Sequence, residues 1–175
     1  MLISMSFILG IDPGKKGGLC IISAKGEVVY LESIPIINED YNLEELSDFF
    51  SFWKDKIGMA YLEKQWGYPR QSSITTFEQG RGYGILQGML ESWGIITEII
   101  SAKTWQAGIY KGYPFPDEID AKDKAFIIAQ DIYPEVSFIR GNSKIPKDGL
   151  IDSLLIANFG LGRSGSIQAS LHGIQ

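Results

Sequence analysis

The first thirty-four residues constrain the fold more tightly than any other stretch. Apolar segments at residues 6–12, 18–24 and Val28–Ile34 are separated by two glycine turns, Pro13-Gly14-Lys15-Lys16-Gly17 and Lys25-Gly26. Short apolar runs closed by turn residues read as strands, and connections this brief permit only antiparallel pairing. An N-terminal antiparallel meander is therefore predicted. The pattern then changes period. Asn42 and Glu45 form a capping signature ahead of Leu43, Leu46, Phe50 and Trp53, which recur at helical spacing. Lys56-Ile57-Gly58 ends that helix, and Met59–Glu63 reads as a short strand. A helix over residues 75–92 carries Gly80, Gly84 and Gly88 on one face. Trp93-Gly94 closes it, and Ile95–Ile100 gives a fifth strand. A short helix over Lys103–Ile109 precedes a proline-containing loop. The next helix starts near Asp120 and is marked by Ala121, Ala125, Ile128, Ala129 and Ile132. After a long basic-leaning loop, residues 134–147, the last helix covers Asp148–Phe159.

A meander followed by alternating helices and strands predicts an α/β fold. The expected sheet is mixed and five-stranded, its antiparallel meander continued by parallel strands, with helices on both faces. The expected organisation is one domain over residues 1–162 and a flexible Gly/Ser-rich tail over 163–175. At 175 residues the chain is long enough for a full core. No apolar run approaches the roughly 20 residues of a membrane span, so no membrane partner is expected. Residues 1–11 lack a basic leader and a cleavage site, and read as a strand. The single cysteine, Cys20, excludes a disulfide framework and a thiolate zinc site. A cytoplasmic location is expected, in a bacterial or phage-infected cell rather than an organellar matrix. The net charge of −5 argues against a generally basic nucleic-acid binder, so any DNA contact needs a local basic stripe.

Four carboxylates occupy positions of chemical interest. Asp12 ends the first strand, where Pro13-Gly14 turns the chain; it is a metal ligand or a turn-forming residue. Glu63 ends the mid-chain strand, and its charge there needs a cation or a basic partner such as Lys64 or Lys103. Asp148 and Asp152 stand four residues apart on one face of the last helix. Asp148 also suits a helix cap. Asp152, flanked by Leu150, Ile151, Leu154 and Leu155, has no capping role. Carboxylates converging from separate core elements suit Mg²⁺ or Mn²⁺, two ions per site, for in-line attack of water on a phosphodiester. Lys122 is the expected lysine beside the scissile phosphate, with Lys124 as the alternative. Trp66, Tyr68, Arg70, Arg81, Tyr83 and Lys103 mix aromatic and basic groups in a way that suits stacking on unpaired bases and backbone contact. Packing of the loop over the core is the competing reading. His172, the only histidine, lies in the tail and is given no role.

Taken together, Gly-Ile-Asp-Pro-Gly at 10–14, Tyr-Leu-Glu at 61–63, Lys122 and Lys-Asp-Gly-Leu-Ile-Asp-Ser-Leu-Leu-Ile-Ala at 147–157 resemble the RuvC-type Holliday junction resolvases of the RNase H-like superfamily. Gly-Arg-Gly-Tyr-Gly from residue 80 and Ser-Ala-Lys-Thr-Trp-Gln from residue 101 are more like the phage and chloroplast branch. The resemblance covers roughly residues 6–160. It implies a homodimer that cuts four-way DNA junctions symmetrically with Mg²⁺ or Mn²⁺; a helicase partner is left open. It maps the four acidic positions onto Asp12, Glu63, Asp148 and Asp152. One position departs: the family usually has an acid or histidine three residues before the final aspartate, and here that residue is Gly149. Two rival readings share these residues. One is an RNase H-like nuclease acting on other branched DNA or RNA–DNA hybrids. The other is a catalytically impaired junction-binding protein.

Overall fold

A computed structural model describes residues 7–172 except Tyr68 and Asp117, with side chains as far as Arg163. Three strands form the expected meander: β1 (Phe7–Asp12), β2 (Gly18–Ser23) and β3 (Val28–Ser33). A two-stranded hairpin follows, β4 (Ile36–Ile37) and β5 (Asp40–Tyr41), then α1 (Leu43–Trp53) and β6 (Ile57–Glu63). The chain continues as α2 (Ser73–Ser92), β7 (Thr97–Ile100), α3 (Ala102–Tyr110), α4 (Ala121–Ile132) and α5 (Asp148–His172). The main sheet has the order β3-β2-β1-β6-β7. β2 is antiparallel to β1 and β3, while β6 is parallel to β1 and β7. This is the mixed five-stranded sheet that the sequence predicts.

Period-two alternation sends each strand's side chains into two separate cores. Ile8, Cys20, Ile22, Tyr61 and Ile100 pack with Trp105, Ile128 and Leu154 on the face covered by α3, α4 and α5. Leu9, Ile11, Leu19, Ile21 and Leu62 pack with Leu46, Phe50, Leu86 and Leu90 on the α1/α2 face. α5 lies against β1, β2 and β6 and is covered in turn by α3 and α4, which explains why Leu154, Leu155, Ile156 and Ala157 are all fully buried. Gly10 allows the approach: a Cβ there would meet the backbone of Ser153 and Ala157.

Two elements differ from the sequence expectation. The β4–β5 hairpin turns through Asn38 and Glu39, both at positive φ, as a two-residue type I′ turn requires. Glu39 lacks the Gly signature of such turns, which hid the hairpin. The last helix runs past Phe159 to His172. Gly160 is not a stop: it sits against the Tyr61 ring and Ile8, where any side chain would collide. The capping box at Asn42 and Glu45 forms as expected. Asn42 Oδ1 accepts from the Glu45 amide at 3.3 Å, and its Nδ2 donates to Glu45 Oε2 at 2.9 Å.

Candidate active site

β1 and β6 run parallel, with Ile11 opposite Leu62. Asp12 and Glu63 are therefore the next residues on adjacent strands. Both fall on the same side as Ile8 and Tyr61, toward α5. Asp152 approaches from α5, and Asp148 lies one turn earlier, at the helix start. Lys147 rather than Asp148 caps that helix: its carbonyl accepts from the amides of Leu150 and Ile151. The Asp148 carboxylate instead accepts a hydrogen bond from Lys122 Nζ at 2.6 Å. Lys122, more than Lys124, belongs to this neighbourhood; the Lys124 ammonium lies over the Phe115 ring.

Gly149 explains the departure noted in the sequence. A Cβ on residue 149 would overlap the carbonyl oxygen of Lys16 and the backbone of Gly17. The start of α5 is pressed against the β1–β2 turn, leaving no room for an acid three residues before Asp152. Residue 148 is the nearest position on that face with space for one.

The carboxylates act on each other. Burial raises the pKa of Asp12 well above the ordinary carboxylate value, and the charges of Asp152, Glu63 and Asp148 raise it further. Burial also pushes Asp152 up, joined by the charges of Glu63 and Asp148 and partly offset by Lys122, to about 7. Burial raises Glu63 too, but two hydrogen bonds hold it back. The fully buried Trp105 donates from Nε1 to Glu63 Oε2 at 2.6 Å, and Gln65 Nε2 donates to Oε1 at 3.4 Å.

This donor set fits a hard divalent cation. It consists of carboxylate oxygens only, and Asp12 sits amid three anionic neighbours with no cation among the causes that set its pKa. As the side chains stand, no three such groups among the described residues converge closely enough to hold a metal ion. Glu63 is engaged with Trp105 and Gln65, and Asp148 with Lys122.

Asp148 borders three clefts. The largest, about 960 Å³, runs past Lys15, Lys16, Lys122 and Lys147. A second of about 380 Å³ contains Asp12 and the β1–β2 turn. The third, about 110 Å³, brings Asp148 and Asp152 together with Gln106 and Tyr110. Lysines thus gather beside the acidic cluster in a chain whose overall charge is negative.

The residues expected to touch DNA differ in their surroundings. Trp66 is 53% exposed, with the Lys64 ammonium 4.0 Å from its ring centroid. Arg70 and Lys103 are exposed. Arg81 is held by two hydrogen bonds to Asp40, which draw the Asp40 carboxyl down to about 2. Tyr83 packs against the α1/α2 core. Tyr68 lies outside the described residues. Sequence reading assigns Trp105 and Tyr110 no place in the site; each has an apolar ring with one polar tip that needs a partner once buried.

No protein-family model matches the chain, and no curated protein matches it in sequence. Solved structures do. RuvC from T. thermophilus in complex with a Holliday junction substrate superimposes with a TM-score of 0.64 at 15% identity, covering 91% of this chain and 96% of that one. A second Thermus thermophilus RuvC structure gives 0.61 at 16% identity, with the same coverage. The protein therefore shares the fold of RuvC over nearly the whole length of both chains.

Proposed function

We propose that the protein is a divalent-metal-dependent endodeoxyribonuclease that resolves four-way DNA junctions. The observation that carries this reading is the set of mutually destabilising carboxylates at the ends of β1, β6 and the start of α5. Burial and neighbouring charge disfavour ionisation of Asp12 and Asp152, and Lys122 offsets this only in part at Asp152; a bound divalent cation would relieve that cost. The fold shared with a junction-bound RuvC supports the choice of substrate.

In this reading Asp12, Glu63 and Asp152 hold Mg²⁺ or Mn²⁺, and Asp148 joins them by exchanging Lys122. Ions held there would supply Lewis-acid activation of water and neutralisation of the leaving oxygen. Trp105 and Gln65 hold Glu63 in a fixed orientation. Lys122, freed from Asp148, would then contact the phosphate. Lys15, Lys16 and Lys147 along the large cleft offer backbone contacts to a strand leaving the site. Symmetric cutting needs two such sites, hence a homodimer. α2 offers a face for one: Ile74 and Phe77 are 76% and 67% exposed, and nothing lies near a Cβ built on Gly80, Gly84 or Gly88.

One observation favours a junction-binding protein without cleavage: the described carboxylates do not converge as they stand. A substrate panel separates the readings. A synthetic four-way junction, a flap, an RNA–DNA hybrid and a linear duplex are incubated with Mg²⁺ or Mn²⁺. Paired nicks in the junction with little cutting of duplex are expected. Equal cutting of flap or hybrid supports a broader nuclease. Tight junction binding without nicks supports the non-catalytic reading.

A further inference from the structure

The Tyr110 hydroxyl is shielded from solvent and has no hydrogen-bond partner among the described residues. A buried hydroxyl left unpaired is unfavourable, and such groups call for an explanation. Its surroundings supply one. Tyr110 ends α3 and lines the same 110 Å³ cleft as Asp152, Asp148 and Gln106. Its ring packs edge-on against Trp105, with centroids 6.1 Å apart, and against Phe115 at 5.7 Å. These contacts hold the ring in place. Trp105, five residues earlier on the same helix, already donates to Glu63.

Resting on the metal-dependent reading above, we infer that Tyr110 is a positioning residue: its O–H is the donor that orients the Asp152 carboxylate when that group ligates a divalent ion. α3 then serves both inner carboxylates, Glu63 through an indole N–H and Asp152 through a phenol O–H. A hydrogen bond from outside the ligand set fixes a ligating carboxylate and raises metal affinity.

Tyr110→Phe removes the hydroxyl and keeps the ring contacts. Two measurements on the full-length protein test the inference. In chelator, the melting temperature of Y110F should equal or exceed that of the wild type, because the lost hydroxyl had no partner. Mn²⁺ binding, followed through the electron paramagnetic resonance signal of free Mn²⁺, should weaken about ten-fold or more. A melting temperature that falls in chelator overturns the inference, since the hydroxyl then has a structural partner. So does wild-type Mn²⁺ affinity in Y110F. If the wild type itself binds no Mn²⁺, the metal-dependent reading fails and takes this inference with it; wild-type binding that Y110F shares sinks the Tyr110 assignment alone.

Discussion

Replacing Asp152 by asparagine should stabilise the metal-free protein, and by an amount that depends on pH. The folded pKa of Asp152 is about 7, against an ordinary value of 3.8. A raised carboxylate pKa means that the native state binds more protons than the unfolded chain. Stability is therefore lost as pH rises from the unfolded value through the folded one. At 1.36 kcal/mol per unit, the penalty from this one group is at most about 4 kcal/mol at pH 8 and about 2 kcal/mol at pH 5, and it vanishes near pH 3. Asp152→Asn removes the charge while nearly preserving shape. Buried amide groups cost something themselves, so a net gain of roughly 2 kcal/mol is expected at pH 8. For a chain of this size that is a rise of about 4–8 °C in melting temperature. The assay is thermal unfolding of wild type and D152N in chelator between pH 5 and pH 8. The gap should narrow steadily toward pH 5. A D152N protein less stable than wild type at pH 8, or a gap independent of pH, would refute the electrostatic argument.

Three further substitutions probe other parts of the site. Trp105→Phe removes the donor to Glu63 from a fully buried position, so thermal unfolding should show a loss of about 2–4 kcal/mol, of which Glu63→Gln in the same chain recovers part. Lys122→Met breaks an exposed ion pair, with side chains 75% and 53% accessible; the denaturant midpoint should stay close to that of the wild type while junction cleavage slows roughly ten-fold or more. Gly149→Ala, which must displace the Lys16 carbonyl, should lower stability by about 2 kcal/mol or more in the same titration. A fully stable G149A would show that the close packing of α5 on the β1–β2 turn does not exclude a side chain there.

The meander and the mixed character of the sheet follow from features legible in the sequence. Glycine turns too short for a crossover force the β1–β2–β3 meander, and the Asn42 box announces α1. The β4–β5 hairpin was not legible because Glu39 adopts positive φ without a glycine to signal it. The end of α5 was misread for the opposite reason. Gly160 looks like a terminator but is a packing residue, and that distinction exists only once Tyr61 is known to lie against it. Within the site, Asp12 and Glu63 stood out because each ends a strand. That they share a rung and a face depends on the β1–β6 register, which no local pattern encodes. Trp105 and Tyr110 were illegible as site residues, since a buried indole and a buried phenol look alike in sequence whether they fill a core or orient a carboxylate. The pairing of Arg81 with Asp40 was likewise not legible, since the two are brought together only by the packing of α2 against the β4–β5 hairpin.

The central claim is that the carboxylates around Asp12 bind divalent metal and cut branched DNA. Its most direct test is cleavage of a synthetic four-way junction across a Mg²⁺ titration, by wild type and by Asp12→Asn. The account predicts paired nicks that require the metal, and their loss in D12N while the variant stays folded and still binds the junction. Nicking that persists in chelator, or a D12N protein that cuts at the wild-type rate, would contradict it.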